Sequence, residues 1–346
     1  MAEPVFVIAE AGVNHNGDLA LALRLCDAAR EAGADAVKFQ TFRAEDLVVP
    51  GAPTAAYQQR ETGEQDQFAM LRKLELSREQ HEALRDHCQR IGIEFFSTPF
   101  SVEAADMLVA LGVRRLKMSS GELTHRALIE RAAASGLPLL LSTGMATMEE
   151  IRDALGWVRA VRGNLGGVSL FHCTSSYPAP DDSLNLRAMV TLGRELGVPV
   201  GYSDHSQGIE ASLAAVALGA TVIEKHLTLD CTLPGPDHSA SLEPAPFAAL
   251  VRGIRRIEAM LGDGHKAPTA PEREVARVAR RSVVAAQAIA AGQPITPPQL
   301  ACRRPGTGIA PADVSRVAGR VAARDLPAGT VLQWTDLVGG APDGRD

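Results

Sequence analysis

Residues Val200–His226, VGYSDHSQGIEASLAAVALGATVIEKH, decide the fold. Val200–Asp204 is a short apolar run that ends in polar side chains, with His205 next. Ala211–Ile223 is apolar and Ala-rich and breaks at Gly219, so it reads as a helix followed by a strand. The second strand, Thr221–His226, again ends in ionisable residues, Glu224, Lys225 and His226. Strand, helix and strand with short links imply parallel strands and a right-handed crossover.

Working outward, the same unit recurs to the N-terminus. Further strands read as Val5–Ala9, Ala36–Gln40, Glu94–Thr98, Arg115–Ser119, Leu139–Thr143 and Ser169–Thr174. The helical patterns Leu19–Ala32, Arg78–Arg90, Met148–Val161 and Leu186–Leu196 stop at Gly33, Gly92, Gly163 and Gly197, the expected C-terminal signal. Eight such strands predict a closed (β/α)8 TIM barrel, whose strand ends converge on one mouth. The runs finish at Glu10, Lys38 and Gln40, Ser97 and Thr98, Lys117 to Ser120, Ser142 and Thr143, and His172 to Ser175, besides the two strands above. Stability alone does not ask for polar groups at all these ends.

The boundaries read as a barrel over 1–263, a linker over 264–280, a small irregular β domain over 281–340 and a loose tail over 341–346. The linker reading rests on Pro268, Pro271 and the charges around them. The excursion Phe42–Leu76 is polar and too long for a simple link; such segments often form lids or substrate walls.

Net charge is −6 and 46% of residues are hydrophobic, which allows a sizeable core. No long basic run exists, which argues against nucleic acid; a local site for an anion is still compatible with the net charge. No stretch reads as a membrane span or a signal peptide. Cys26, Cys88, Cys173, Cys231 and Cys302 are scattered without a Cys-x-x-Cys pair, as expected of reduced thiols in a cytoplasmic protein.

The chain has 30 arginines and five lysines. Of these, Lys38, Lys117 and Lys225 sit at predicted strand ends, where a compact point charge suits a phosphate or carboxylate. Hydroxyls of Thr98, Ser119, Ser120, Ser142 and Ser203 accompany them; any one alone reads equally as a strand cap. His205 and His226 end neighbouring strands and can share one divalent ion, or be two ordinary hydrogen-bonded histidines. Asp204 and Glu224 beside them read as supporting or alternative ligands. Glu10 and Glu122 are candidate acid–base carboxylates, although Glu10 near Lys38 also reads as structural. His15 and His172 read as turn or wall histidines. Tyr177 is placed to line a substrate pocket, and Asp237 lies on a Pro/Gly loop suited to presenting a carboxylate to a polyol.

Nine strings in order carry a resemblance: EAGVNHNG (Glu10–Gly17), VKFQTF (Val37–Phe42), STPF (Ser97–Phe100), SSGE (Ser119–Glu122), STGMAT (Ser142–Thr147), CTSSYPAP (Cys173–Pro180), GYSDHS (Gly201–Ser206), EKHLTLD (Glu224–Asp230) and PGPDHSAS (Pro234–Ser241). They resemble the sialic acid synthase family, and RRPGTGI (Arg303–Ile309) resembles its antifreeze-like SAF domain. The resemblance implies a manganese-dependent condensation of phosphoenolpyruvate with an N-acylated amino hexose, usually N-acetylmannosamine, giving a nine-carbon 2-keto acid and phosphate. A sister activity makes legionaminic acid from a 2,4-diacetamido-trideoxy hexose. By this likeness His205 and His226 bind the metal. Lys38, Thr98, Lys117, Ser119 or Ser120, Ser142 and Ser203 contact phosphoenolpyruvate. Glu10, Gln40, Glu122, Tyr177 and Asp237 face the sugar or the reaction, and Ser175 lies near the acyl group. The likeness also implies a swapped homodimer in which Arg304 reaches the partner's sugar site. Departures are minor: Leu227, Arg303 and Ser206 replace a frequent Phe, Lys and Thr. Two rival readings are a metal-dependent aldolase or hydrolase on the same barrel, and a non-catalytic carbohydrate- or ice-binding protein.

Overall fold

A computed structural model describes residues 3–339. It divides the chain into two compact units, Met1–Asp263 and Gly264–Asp346. The expected tail, 341–346, lies outside the described residues.

The first unit is an eight-stranded parallel barrel. Its strands are β1 (Phe6–Gly12), β2 (Ala36–Thr41), β3 (Glu94–Pro99), β4 (Leu116–Met118), β5 (Leu139–Ser142), β6 (Val168–His172), β7 (Val200–Asp204) and β8 (Val222–His226). The hydrogen-bonded order is β3-β2-β1-β8-β7-β6-β5-β4. β3 and β4 lie against each other without a ladder between them. Across that seam Arg115 grips Glu94 with two hydrogen bonds, 2.6 and 3.0 Å, and lays its guanidinium 4.0 Å from the Phe6 ring. A forked cation thus ties the strands where backbone pairing is missing.

Helices cover the barrel because their apolar stripes have nowhere else to go. Arg78–Ile91 starts at a Ser77–Gln80 capping box and Met148–Arg162 at a Thr147–Glu150 box, so each helix begins where its side chains satisfy the free backbone N–H groups. Inside, the strands are buried on both faces: Val7, Phe39, Phe96 and Leu170 are sealed from solvent, and so are the charged residues Glu10, Lys38, Lys117 and Glu224.

The excursion Phe42–Leu76 folds into three short helices, Ala44–Leu47, Ala56–Thr62 and Gln67–Arg72. It has its own core of Val13, Phe42, Ala44, Met70, Leu71 and Leu74. Polar on average, it is apolar on the side turned to the barrel.

The second unit centres on an antiparallel pair, β9 (Ser282–Ala285) and β10 (Leu300–Arg303), around a core that includes Val283, Ile289, Ile295, Ile309 and Leu332. The segment 264–280 is not a bare linker: it holds a helix, Ala270–Ala279. Thr269 and Glu272 form a capping box, and Pro271 sits in the first turn, where its missing N–H costs nothing. The prolines that suggested a loop are in fact start signals. Among the described residues no helix is long and apolar enough to cross a membrane.

Candidate active site

Parallel register places the strand ends in layers. Glu10 of β1 lies level with Lys38 of β2 and His226 of β8, and Ser203 of β7 with Glu224 of β8. Side chains alternate along each strand, so Glu224 and His226 point into the barrel together and Lys225 points out. β1 has a register irregularity between Glu10 and Gly12. Such bulges re-aim side chains at strand ends. Gly12 adopts φ 52°, and a Cβ there would press on the Glu10 carboxylate at 3.2 Å and the Gln40 amide at 3.4 Å. Glycine at this position keeps both groups where they are.

A cavity of about 470 Å³ opens at these strand ends. Its lining includes Glu10, Lys38, Gln40, Thr98, Lys117, Ser119, Ser120, Ser142, Ser175, Tyr177, Ser203, His205, Glu224, His226 and Asp237. The structure thus brings together most of the side chains singled out from the sequence. Gly144 lets Ser120 and Ser175 converge: a Cβ there would fall 2.8 Å from the Ser120 hydroxyl and collide with that of Ser175.

At the floor, four charges form a chain. Lys38 lies 2.7 Å from Glu10 and 3.8 Å from Glu224, and Lys117 lies 3.5 Å from Glu224. Lys38 also donates to Thr98 at 3.0 Å, Lys117 to Ser142 at 2.5 Å, and Ser203 to Glu224 at 2.8 Å. The two carboxylates respond in opposite ways. Burial pushes Glu10 up to about 7, because Lys38 and the Gln40 amide, at 3.3 Å, only partly offset it. Burial acts on Glu224 too, but Lys117, Lys38 and the Ser203 hydroxyl outweigh it and bring the group to about 2. Burial disfavours charge on Lys38, yet Glu10 and Glu224 together raise it. Lys117, with one near carboxylate, is lowered by burial. At neutral pH, then, Glu224 is a fixed anion and Glu10 is poised to gain or lose a proton.

The two histidines fit a metal. His205 Nδ1 donates to the Thr174 carbonyl at 2.7 Å, which makes Nε2 the acceptor; it faces the cavity, accepts from the Tyr177 hydroxyl at 3.1 Å and lies 3.3 Å from the Ser203 hydroxyl. His226 Nδ1 is buried without a hydrogen-bond partner, and the two rings are 5.6 Å apart. Burial brings His205 down to about 4 and holds His226 well below its ordinary range, so both rings are neutral, as ligands must be. Asp237 lies 3.8 Å from His226 Nδ1 and is pushed by burial to about 6. Among the described residues no group of three or more His, Cys, Asp or Glu side chains is arranged to hold a metal. Two imidazoles with the remaining positions open are the whole donor set.

Some of the residues singled out lie outside the cavity lining. Glu122 is not among the cavity-lining residues: it closes the one-turn helix Ser120–Glu122, half-buried, and meets His125 Nδ1 at 2.7 Å. Lys225 and Asp204 are not cavity residues either. They form a fully buried pair at 3.0 Å on the outer face of β7 and β8, completed by Ser206 and Ser212. His172 bonds the Leu184 carbonyl at 2.7 Å, in keeping with a wall role. Arg304 is exposed in the second unit. Conversely, Glu224 is a central charge of the site and not merely a support for the histidines. Strand parity was the signal: if His226 faces the mouth, so must Glu224. The cavity wall of Met70, Leu71 and Leu74, with Gln58 and Gln67, left no such signal, since it depends on how the excursion folds back.

Residues 25–266 match the NeuB family and 280–338 the SAF domain. The chain is 47% identical to the N,N'-diacetyllegionaminic acid synthase of Legionella pneumophila subsp. pneumophila, over 96% of this chain and 94% of that one. It is 42% identical to the Campylobacter jejuni N,N'-diacetyllegionaminic acid synthase, over 92% and 96% respectively. The crystal structure of the N-acetylneuraminic acid (sialic acid) synthetase from Leptospira borgpetersenii serovar Hardjo-bovis, in complex with citrate, superposes with a TM-score of 0.70 at 40% identity, covering 79% of this chain and 90% of that one. The chain therefore belongs to the NeuB family, as a carbon–carbon bond-forming synthase of the sialic acid synthase type with a SAF domain at its C-terminal end.

Proposed function

We propose that the protein condenses phosphoenolpyruvate with a 2,4-diacetamido-2,4,6-trideoxy hexose, giving N,N'-diacetyllegionaminic acid and phosphate. The observation that carries the choice of sugar is the apolar cavity wall of Val13, Met70, Leu71, Leu74 and Phe100. Relative to N-acetylmannosamine, this sugar replaces the C6 hydroxymethyl with a methyl and the C4 hydroxyl with an acetamide. The C6 methyl suits an apolar wall, which gives a hydroxyl no partner, and the C4 acetamide sets its own methyl against that wall with its amide within the range of Gln58 and Gln67 in the same lining. The names of the two relatives above point the same way.

In this reading Lys38 and Lys117, with Thr98, Ser142 and Ser203, hold the phosphate and carboxylate of phosphoenolpyruvate through charge-assisted hydrogen bonds. Ser119 or Ser120 joins them. Ser175, Gln40, Tyr177 and Asp237 position the sugar, and Glu224 aims both ammonium groups. His205 and His226 hold a divalent ion, manganese by family likeness, which when bound supplies Lewis-acid polarisation of the aldehyde. The methylene carbon of phosphoenolpyruvate bonds to the aldehyde carbon, and water adds at the enol carbon. Glu10 takes one proton from that water and passes it to the former aldehyde oxygen; the C–O bond to phosphate then breaks as the remaining hydroxyl gives its proton to the departing phosphate and becomes the keto oxygen. Arg304 is assigned to the partner's sugar site of a swapped homodimer, and the cytoplasm is the compartment that fits free phosphoenolpyruvate and reduced thiols.

A second reading, N-acetylneuraminate synthesis from N-acetylmannosamine, is favoured by the name of the Leptospira structure. Phosphate release from phosphoenolpyruvate with manganese, measured with each sugar and with the product mass confirmed, decides. Preference for the diacetamido sugar is the expected result. Preference for N-acetylmannosamine establishes the second reading, and silence with both from folded protein overturns the two together.

A further inference from the structure

Asp237 is placed at the cavity by a loop, 228–241, whose only regular element is the single turn His238–Ala240. A carboxylate that must meet a substrate needs to be held to within about half an ångström, which a free loop does not provide. The motif at the exit of β1, Asn14–His15–Asn16, has no role in the chemistry above, yet it is stitched to this loop at two places.

At the neck, the Asn14 side-chain amide makes two donations. One goes to the Leu227 carbonyl at 2.9 Å, directly after His226. The other goes to the Ser241 hydroxyl at 2.9 Å, and that hydroxyl donates to the Asp237 carbonyl at 2.6 Å. At the tip, the Asn16 amide donates to the Pro234 carbonyl at 2.8 Å. The ring of His238 rests against Asn16 and bonds the Thr228 hydroxyl at 2.6 Å. Gly235 is required there: a Cβ would come within 2.8 Å of the Asn16 side-chain oxygen and 2.7 Å of the His238 ring.

We propose that Asn14 is a positioning residue for the Asp237–His226 pair, tying the exit of β1 to the exit of β8 and, through Ser241, to the backbone of Asp237. Asn14 is 1% exposed, so its amide has no solvent to turn to and is committed to these two partners, one directly after His226 and one that bonds the backbone of Asp237. Packing alone would not distinguish the amino sugar from phosphoenolpyruvate.

The assignment rests on the proposed reaction, in which Asp237 meets the sugar and His226 the metal, and its test reads both arms. Ser241→Ala removes only the relay to Asp237. It should raise KM for the amino sugar about tenfold, the worth of one hydrogen bond, while KM for phosphoenolpyruvate stays within about twofold. Ser241→Thr, which keeps the hydroxyl, should restore the sugar KM. Asn14→Ala should raise the sugar KM and also weaken manganese binding to the substrate-free protein, measured by titration calorimetry. Parallel changes in both KM values and in Tm would reduce the contact to packing and overturn the proposal, as would a Ser241→Ala protein indistinguishable from wild type. If wild-type protein turns over neither sugar, the proposed reaction falls, and calorimetry alone decides: unchanged manganese affinity in Asn14→Ala overturns the clip, and weakened affinity upholds it.

Discussion

Lys225 and Lys38 are both buried, and each stands within about 3 Å of a carboxylate, Asp204 at 3.0 Å and Glu10 at 2.7 Å. Their surroundings differ. Around Lys225 both carboxylate oxygens are engaged: Asp204 accepts from Ser206 and Ser212 at 2.6 Å, and Lys225 also donates to the Ser206 carbonyl at 2.5 Å. Around Lys38 the network is open: Glu10 Oε2 meets the Lys38 ammonium at 2.7 Å, but Glu224 Oε2 has no hydrogen bond among the described residues, with Lys38 3.8 Å away, and a cavity opens in front of them. A buried ion pair closed by its own neighbours holds strands together. One that leaves buried polar atoms unsatisfied at a cavity is waiting for a ligand. Sequence shows the same residue types at both places, so it is completion of the network, and not composition, that tells them apart.

The contrast is broken most directly by removing one lysine from each network. Lys117→Met should lower phosphate release by about 10³-fold or more, since it deletes a charge facing the transferred group, with little change in Tm because Lys38 still serves Glu224. Lys225→Met should do the reverse. It strands Asp204 in the protein interior, at a cost of about 3–5 kcal/mol seen in urea unfolding, while the folded fraction keeps its KM values. Equal losses of activity and stability in both variants would mean that the two networks do not differ in kind.

The histidines extend the comparison to uncharged groups. His226→Ala should lower manganese-dependent turnover by about 10²-fold or more, leaving Tm within a few degrees. His172, which bonds only a backbone carbonyl, supplies the control: His172→Ala should keep its manganese response. Full activity of His226→Ala in chelated buffer would remove the metal role.

Much of this was legible from the sequence, for identifiable reasons. Strand ends are marked by apolar runs and by glycines closing the helices between them, so β7 falls where expected and the other strands within a residue or two at most ends; β1, drawn on through Gly12 by its bulge, departs furthest. Inward and outward faces were also readable by parity, which would have separated Glu224 and His226 from Lys225. The position of Glu122 was not readable by parity, because it follows the strand, in a one-turn helix where alternation no longer applies. The helix Ala270–Ala279 was missed because proline was weighed as a breaker without regard to position. The apolar wall and the Asn14 clip could not be read at all: both join segments far apart in the chain, and only the closed barrel brings them together.

The smallest expected effect separates the two carboxylates of the cavity itself. Glu10 rises from 4.5 to about 7, so between those values the unfolded chain ionises before the folded one. Stability attributable to Glu10 is therefore fully present below about pH 4.5 and is lost as pH rises through about 7. Glu224, lowered to about 2, has the opposite sign: its contribution is present above pH 4.5 and is lost as pH falls toward about 2. Glu10→Gln should abolish the first window and leave the second. In urea melts, the midpoint of Glu10→Gln should then gain on that of wild-type protein as pH rises from about 4.5 to 7, and the two should run parallel below about pH 4, where Glu224 titrates in both. A Glu10→Gln protein with the wild-type slope above pH 5 would place the titrating group elsewhere, and Glu10 would lose its claim to carry the proton at neutral pH.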